Sequence, residues 1–84
     1  MKELSMSFKA LADENRLIIM KMLLSGEICA CEILDKLNIT QPTLSHHMKV
    51  LLSADLVIAR RAGKWVHYSP KNENLVFKSI KNLL

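Results

Sequence analysis

The segment Ile39–Leu51 (ITQPTLSHHMKVL) decides the fold. Thr40 is a good helix N-cap, because its hydroxyl can accept from a free N–H of the first turn. Pro42 falls in that first turn, where its missing N–H costs nothing. At 100° per residue, Leu44, Met48 and Leu51 form one narrow apolar stripe. Thr43, Ser45, His46 and Lys49 fall on the opposite arc, and Gln41 sits at the helix start. A plain surface helix would carry Glu/Lys pairs. This arc has no acidic residue and offers donors and acceptors suited to base edges and phosphates. His47 lies at the edge of the apolar stripe and reads as a half-buried histidine bonded to backbone.

Working outward, Cys29–Leu37 reads as a preceding helix with Ile33, Leu34 and Leu37 facing inward. Asn38 follows it as a left-handed turn residue. Two helices joined by so short a turn make a helix-turn-helix. On the other side, Leu56–Arg61 and Trp65–Ser69 are rich in β-formers and flank the turn Ala62-Gly63-Lys64, which predicts a hairpin. Arg60, Arg61 and Lys64 make it a basic wing able to meet phosphate or minor groove. Of Trp65 and Tyr68, on opposite strand faces, one should pack on the core and the other shield the hairpin.

Toward the ends, Leu4, Phe8 and Leu11 predict a short first helix. Asp13 is an N-cap for a second, Arg16–Leu24, with Ile18, Met22 and Leu23 as its core face and Gly26 as its stop. Asn74–Leu84 should be a last helix with Val76, Ile80 and Leu83 on one stripe. The fold class expected is therefore mostly α with a β-hairpin wing (α+β), in the order α-α-α-α-β-β-α. It forms one domain over residues 1–84, whose last helix, apolar on more than one side, should pack on its own domain and on a second copy.

Charge supports the same division. The chain of 84 residues carries +4. Residues 1–40 hold five basic and six acidic side chains, whereas residues 41–84 hold seven basic and two acidic. The basic half is the one to offer to a polyanion. Half of the residues are hydrophobic, much for so small a surface-dominated domain, which suggests that a second copy covers some of them. No apolar run approaches the roughly 20 residues of a membrane span. Glu3, Ser5 and Lys9 interrupt any signal-peptide pattern at the N-terminus. Two cysteines one residue apart are not a secreted disulfide framework, so a reducing cytoplasm is expected. No enzyme is expected: paired carboxylates, a Ser/His/Asp order and a glycine-rich phosphate loop are all lacking. A winged helix used only for protein contact is the competing class, and salt dependence separates the two.

Three segments resemble the ArsR/SmtB family of metal-responsive winged helix-turn-helix repressors: Phe8–Leu17 (FKALADENRL), Ile39–Leu51, and Leu56-Val57 with Arg60–Tyr68 (RRAGKWVHY). Asp55 stands where the family usually has Gly, a left-handed position that Asp tolerates. The resemblance implies a homodimer, with dimerisation helices at both ends, that binds operator double-stranded DNA through Gln41, Thr43, Ser45, His46, Lys49, Arg60, Arg61 and Lys64. It requires no cofactor, and repression is relieved by an inducer. Cys29 and Cys31 lie where arsenic- and cadmium-type members carry Cys-x-Cys, and they are the metal-ligand candidates for As(III), Sb(III) or another thiophilic ion. Leu34 occupies the place of a third arsenic-type cysteine. Residues 74–84 lack the His and carboxylates of a zinc-type site, and residues 1–28 lack the cysteines that complete a cadmium-type one. Two other readings of the pair stand beside this one: two small half-buried hydrophobes, and a redox couple. Placed on one regular helix, Cys29 and Cys31 would point about 200° apart. Joint ligation would then require the first turn to unwind.

Overall fold

The computed structural model describes residues 1–84. Its elements are α1 (Lys2–Leu11), α2 (Glu14–Met22), β1 (Ile28–Cys29), α3 (Ala30–Leu37), α4 (Gln41–Ser53), β2 (Val57–Ala62), β3 (Trp65–Pro70) and α5 (Leu75–Ile80). Single 3-10 turns follow α2 (Leu23–Ser25) and α5 (Lys81–Leu83). The expected order of helices and hairpin holds, with one addition. The two-residue strand β1 joins the hairpin, giving an antiparallel sheet ordered β1-β3-β2. A strand this short leaves no periodicity to read; only the free edge of β3 supplies its partner.

The helix ends follow from side-chain chemistry. Asp13 accepts from the Arg16 N–H at 3.1 Å and Thr40 from the Thr43 N–H at 3.3 Å, each satisfying a donor that the helix leaves free. Asn74 does the same for Phe77 at 3.0 Å and donates to the Asp55 carbonyl, tying α5 to the end of α4. Asn38 (φ 54°) and Asp55 (φ 59°) are left-handed, as expected of them.

Leu44, Met48 and Leu51 of α4 are buried as the stripe predicts, in a core shared with Ile19, Met20, Leu23, Ile33 and Leu56. Three expected stripes are phased differently. In α2 the inward residues are Ile19, Met20 and Leu23, with Ile18 and Met22 only partly covered, because both α1 and α4 pack against this short helix. In α1 they are Ser7, Ala10 and Leu11, while Leu4 and Phe8 stay 43% and 53% exposed. In α5, Val76 and Phe77 are buried and Leu83 is exposed. An apolar pair at i, i+4 marks a helix face but not what covers it. Trp65 and Tyr68 both pack against the core rather than dividing the two roles.

The recognition-type helix α4 is anchored from behind by Arg16 of α2. Its guanidinium donates to the Ala10 carbonyl at 2.6 Å and to His47 Nδ1 at 3.0 Å, and Asp13 lies 3.9 Å away. A guanidinium only donates, so His47 Nδ1 accepts and the neutral ring carries its proton on Nε2. His47 is 7% exposed, and its partner is Arg16, where a backbone partner was expected. One largely covered charge thus holds the end of α1, the start of α2 and the middle of α4 together.

Burial is the largest cause pushing the His47 pKa below its ordinary 6.5; Asp13 opposes it, and Arg16 and His46 add to it. Below about pH 6.5 the unfolded chain therefore binds a proton that the folded chain resists. This contribution to stability is complete above that pH and is lost as pH falls toward the folded pKa. Asp13 is shifted downward from 3.8 and acts only below that value. The urea midpoint should fall between about pH 7.5 and 5.5, and His47→Gln should flatten that fall; equal slopes in both proteins would refute the assignment.

Candidate nucleic-acid interface and thiol site

Gln41, Thr43, Ser45, His46 and Lys49 are all exposed on α4, and no acidic residue interrupts them. The Thr43 hydroxyl is engaged by Thr40 at 2.9 Å, so it stiffens the helix start. Helical phase divides the rest. Gln41 and Ser45 border a depression shared with Arg61, Lys64 and Trp65 of the hairpin. His46 and Lys49 border another on the opposite flank, shared with Lys9 and Arg16. The exposed arc of α4 thus runs between the wing and the last turn of α1.

The wing closes with Ala62 opposite Trp65 and turns through Gly63, whose φ of 64° suits a residue without Cβ. Strand alternation sends its arginines to opposite faces. Arg61 lies with Lys64 on the α4 side. Arg60 is turned the other way, where it grips both oxygens of Glu27 at 2.7 and 2.9 Å. That pairing is the main reason the Glu27 carboxyl titrates below its ordinary value and Arg60 above its own. Of the three predicted wing bases, the structure brings two to the recognition helix and holds one on Glu27. Glu27 carried no signal in the sequence, because its partner lies 33 residues away.

The thiol pair departs from expectation. Cys29 is the N-cap of α3 with extended backbone (φ −68°, ψ 141°), and the helix begins only at Ala30. Its Sγ accepts from the Cys31 N–H at 3.2 Å. The Cα atoms are 5.2 Å apart and the two sulfurs are paired as a disulfide. The 200° divergence expected of two helical residues is therefore absent, and no turn has to unwind for both sulfurs to reach one point. Cys29 also belongs to β1. It stands opposite His67, and Ile28 opposite Tyr68, in the β3 strand of the wing. Cys29 is buried and Cys31 partly covered. No group of three or more His, Cys, Asp or Glu side chains is arranged to hold an ion.

Comparison with known proteins places this architecture. The family model described as "Bacterial regulatory protein, arsR family" matches residues 13–59, which span α2 through the first residues of β2. The arsenical resistance operon repressor of Staphylococcus aureus is 44% identical over 82 residues, covering 98% of this chain and 78% of that protein. Among solved structures, reduced HlyU from Vibrio cholerae superposes with a TM-score of 0.86 at 31% identity, covering 99% of this chain and 85% of that one. A homodimeric winged helix-turn-helix DNA-binding domain from Mycobacterium bovis gives 0.84 at 28%, covering 98% and 78%. On the family match, the identity to the repressor and the observed fold, this chain belongs to the arsR family of bacterial regulatory proteins, DNA-binding transcription regulators of winged helix-turn-helix form.

Proposed function

We propose that this chain is a dimeric cytoplasmic repressor that leaves its operator when a thiophilic ion such as As(III) or Sb(III) is held by Cys29 and Cys31. The observation that carries the reading is the convergence of the two sulfurs where strand β1, hydrogen-bonded to the wing, runs into α3. Similarity to a protein named as an arsenical resistance operon repressor supports it.

On DNA, α4 lies in the major groove. Gln41, Ser45, His46 and Lys49 meet base edges and phosphates, with Thr43 at the helix start. Arg61 and Lys64 meet the backbone from the wing. Arg60 joins them only by leaving Glu27. No cofactor takes part in this binding. In a reducing cytoplasm the pair is a dithiol. Thiolates are soft donors, and the N-terminal end of α3 favours the thiolate form. An ion held by both thiolates draws them together from the open dithiol and so fixes the backbone at Cys29, with no unwinding of α3. Because Cys29 is paired to β3, and Glu27 two residues upstream clamps β2, that change reaches the wing directly. Two ligands with different preferences for one wing position oppose each other by linkage.

The exposed Leu4 and Phe8 of α1 and Leu75 and Leu83 of α5 form the surface for a second copy. The homodimeric neighbour supports this assignment. The paired sulfurs also favour a second reading, in which a peroxide takes two electrons from the dithiol, leaving the disulfide and water, and this oxidation releases DNA.

Fluorescence anisotropy of the reduced protein on its upstream DNA tests the reading. As(III) should weaken binding by roughly tenfold or more, within the usual range of allosteric coupling. The Cys29→Ser, Cys31→Ser double variant should bind DNA normally and ignore the ion. Release that survives in the double variant would move the sensor elsewhere. Tight binding that only oxidants disturb would select the redox reading. Glu27→Gln should keep DNA affinity within a few fold but blunt the release, and an undiminished response would remove the wing from the route. Sedimentation equilibrium of Leu4→Ser, Phe8→Ser should show monomer with near-parental helicity; a persistent dimer would place the interface elsewhere.

A further inference from the structure

A helix about 10–12 Å wide that fills a major groove of similar width has a phosphate backbone along each flank. The wing accounts for one flank, through Arg61 and Lys64 beside Gln41 and Ser45. On the other flank, the last turn of α1 runs beside α4, and Lys9 lines the same depression as His46 and Lys49. We propose that Lys9 grips the DNA backbone on the side of α4 opposite the wing, so that each protomer clamps both walls of the groove. This rests on the reading of α4 as the helix that enters DNA.

Three observations carry it. First, these basic groups are unclaimed. The ion pairs of the molecule occupy Arg16, Arg60, Lys71 and the N-terminal amine, the neutral His47 is taken up by Arg16, and none of these contacts includes Lys9, His46 or Lys49. Asp13, the carboxylate of this region, is already turned to Arg16. Second, the place of Lys9 is fixed. Arg16 holds the carbonyl of the next residue, Ala10, at 2.6 Å while also holding His47 of α4, so the α1 turn and α4 move as one body. Third, Lys9 stands at the helix end where Ala12 N–H already returns to its own carbonyl, and its side chain is left exposed. A flexible ammonium on a fixed base is a phosphate contact with no sequence preference.

The test is the salt dependence of DNA binding by Lys9→Gln. Each phosphate contact contributes about 0.9 to the slope of log affinity against log salt, and a dimer carries two copies of Lys9, so the slope should fall by about two. Equivalently, the parent's advantage over the variant should shrink about tenfold between roughly 50 and 200 mM salt. The loss should be equal on operator and on random duplex, and Lys9→Arg should restore the parental slope. Lys21→Gln, the same charge removed from the far end of α2, controls for net charge. A Lys9→Gln slope equal to the parent's or to that of Lys21→Gln overturns the proposal while leaving DNA binding intact. A parent that binds no duplex overturns the reading of α4, and Lys9 with it. Circular dichroism of each variant separates loss of contact from loss of fold.

Discussion

The Arg16 guanidinium is the point at which this domain is fastened. A charge so little exposed is tolerable only when its donors are met, and here the Ala10 carbonyl and the His47 ring accept from it while the Asp13 carboxylate, capping α2, balances its charge from 3.9 Å. Apolar packing alone lets helices slide by fractions of a turn at little cost. A fork of fixed directions does not. The angle at which α4 leaves the body, and the face it turns outward, are therefore set by hydrogen-bond geometry laid over a small core. No buried side-chain nitrogen or oxygen is left without a partner, so the network closes.

The other fastening is lighter. Strand β1 is two residues long, and the Glu27–Arg60 pair that reinforces it is largely exposed, where ion pairs stabilise little. A rigid joint behind α4 and a weak joint beside the wing divide the labour. Arg16 holds α4 to the ends of α1 and α2. The hairpin itself is well seated, with Val57 buried and Trp65 and Tyr68 against the core, so the light joint is the one between β1 and β3 alone.

Much of this was legible in the sequence because it is local. Thr40, Pro42 and the Leu44, Met48, Leu51 stripe define α4 within a few turns of chain, and Asn38 and Asp55 mark the turns beside it. What escaped is what depends on residues distant in sequence. Strand β1 exists only because β3 passes it. Glu27 acquires its role from Arg60, and His47 from Arg16. The outward Leu4 and Phe8 look like core residues to any periodicity argument, because apolar spacing marks a helix face without saying what covers it. The thiol geometry failed for a smaller reason: moving the start of α3 by one residue turns Cys29 from a helical position into a cap and reverses the conclusion about divergence.

The pairing of β1 with β3 is made by backbone atoms, and this has a consequence for how such a domain can change. The backbone groups of positions 28 and 29 pair with β3 whatever side chains stand there, proline excepted. The side chains at positions 29 and 31 can therefore be exchanged while the ladder that ties the start of α3 to the wing is kept, and the two features are open to change independently.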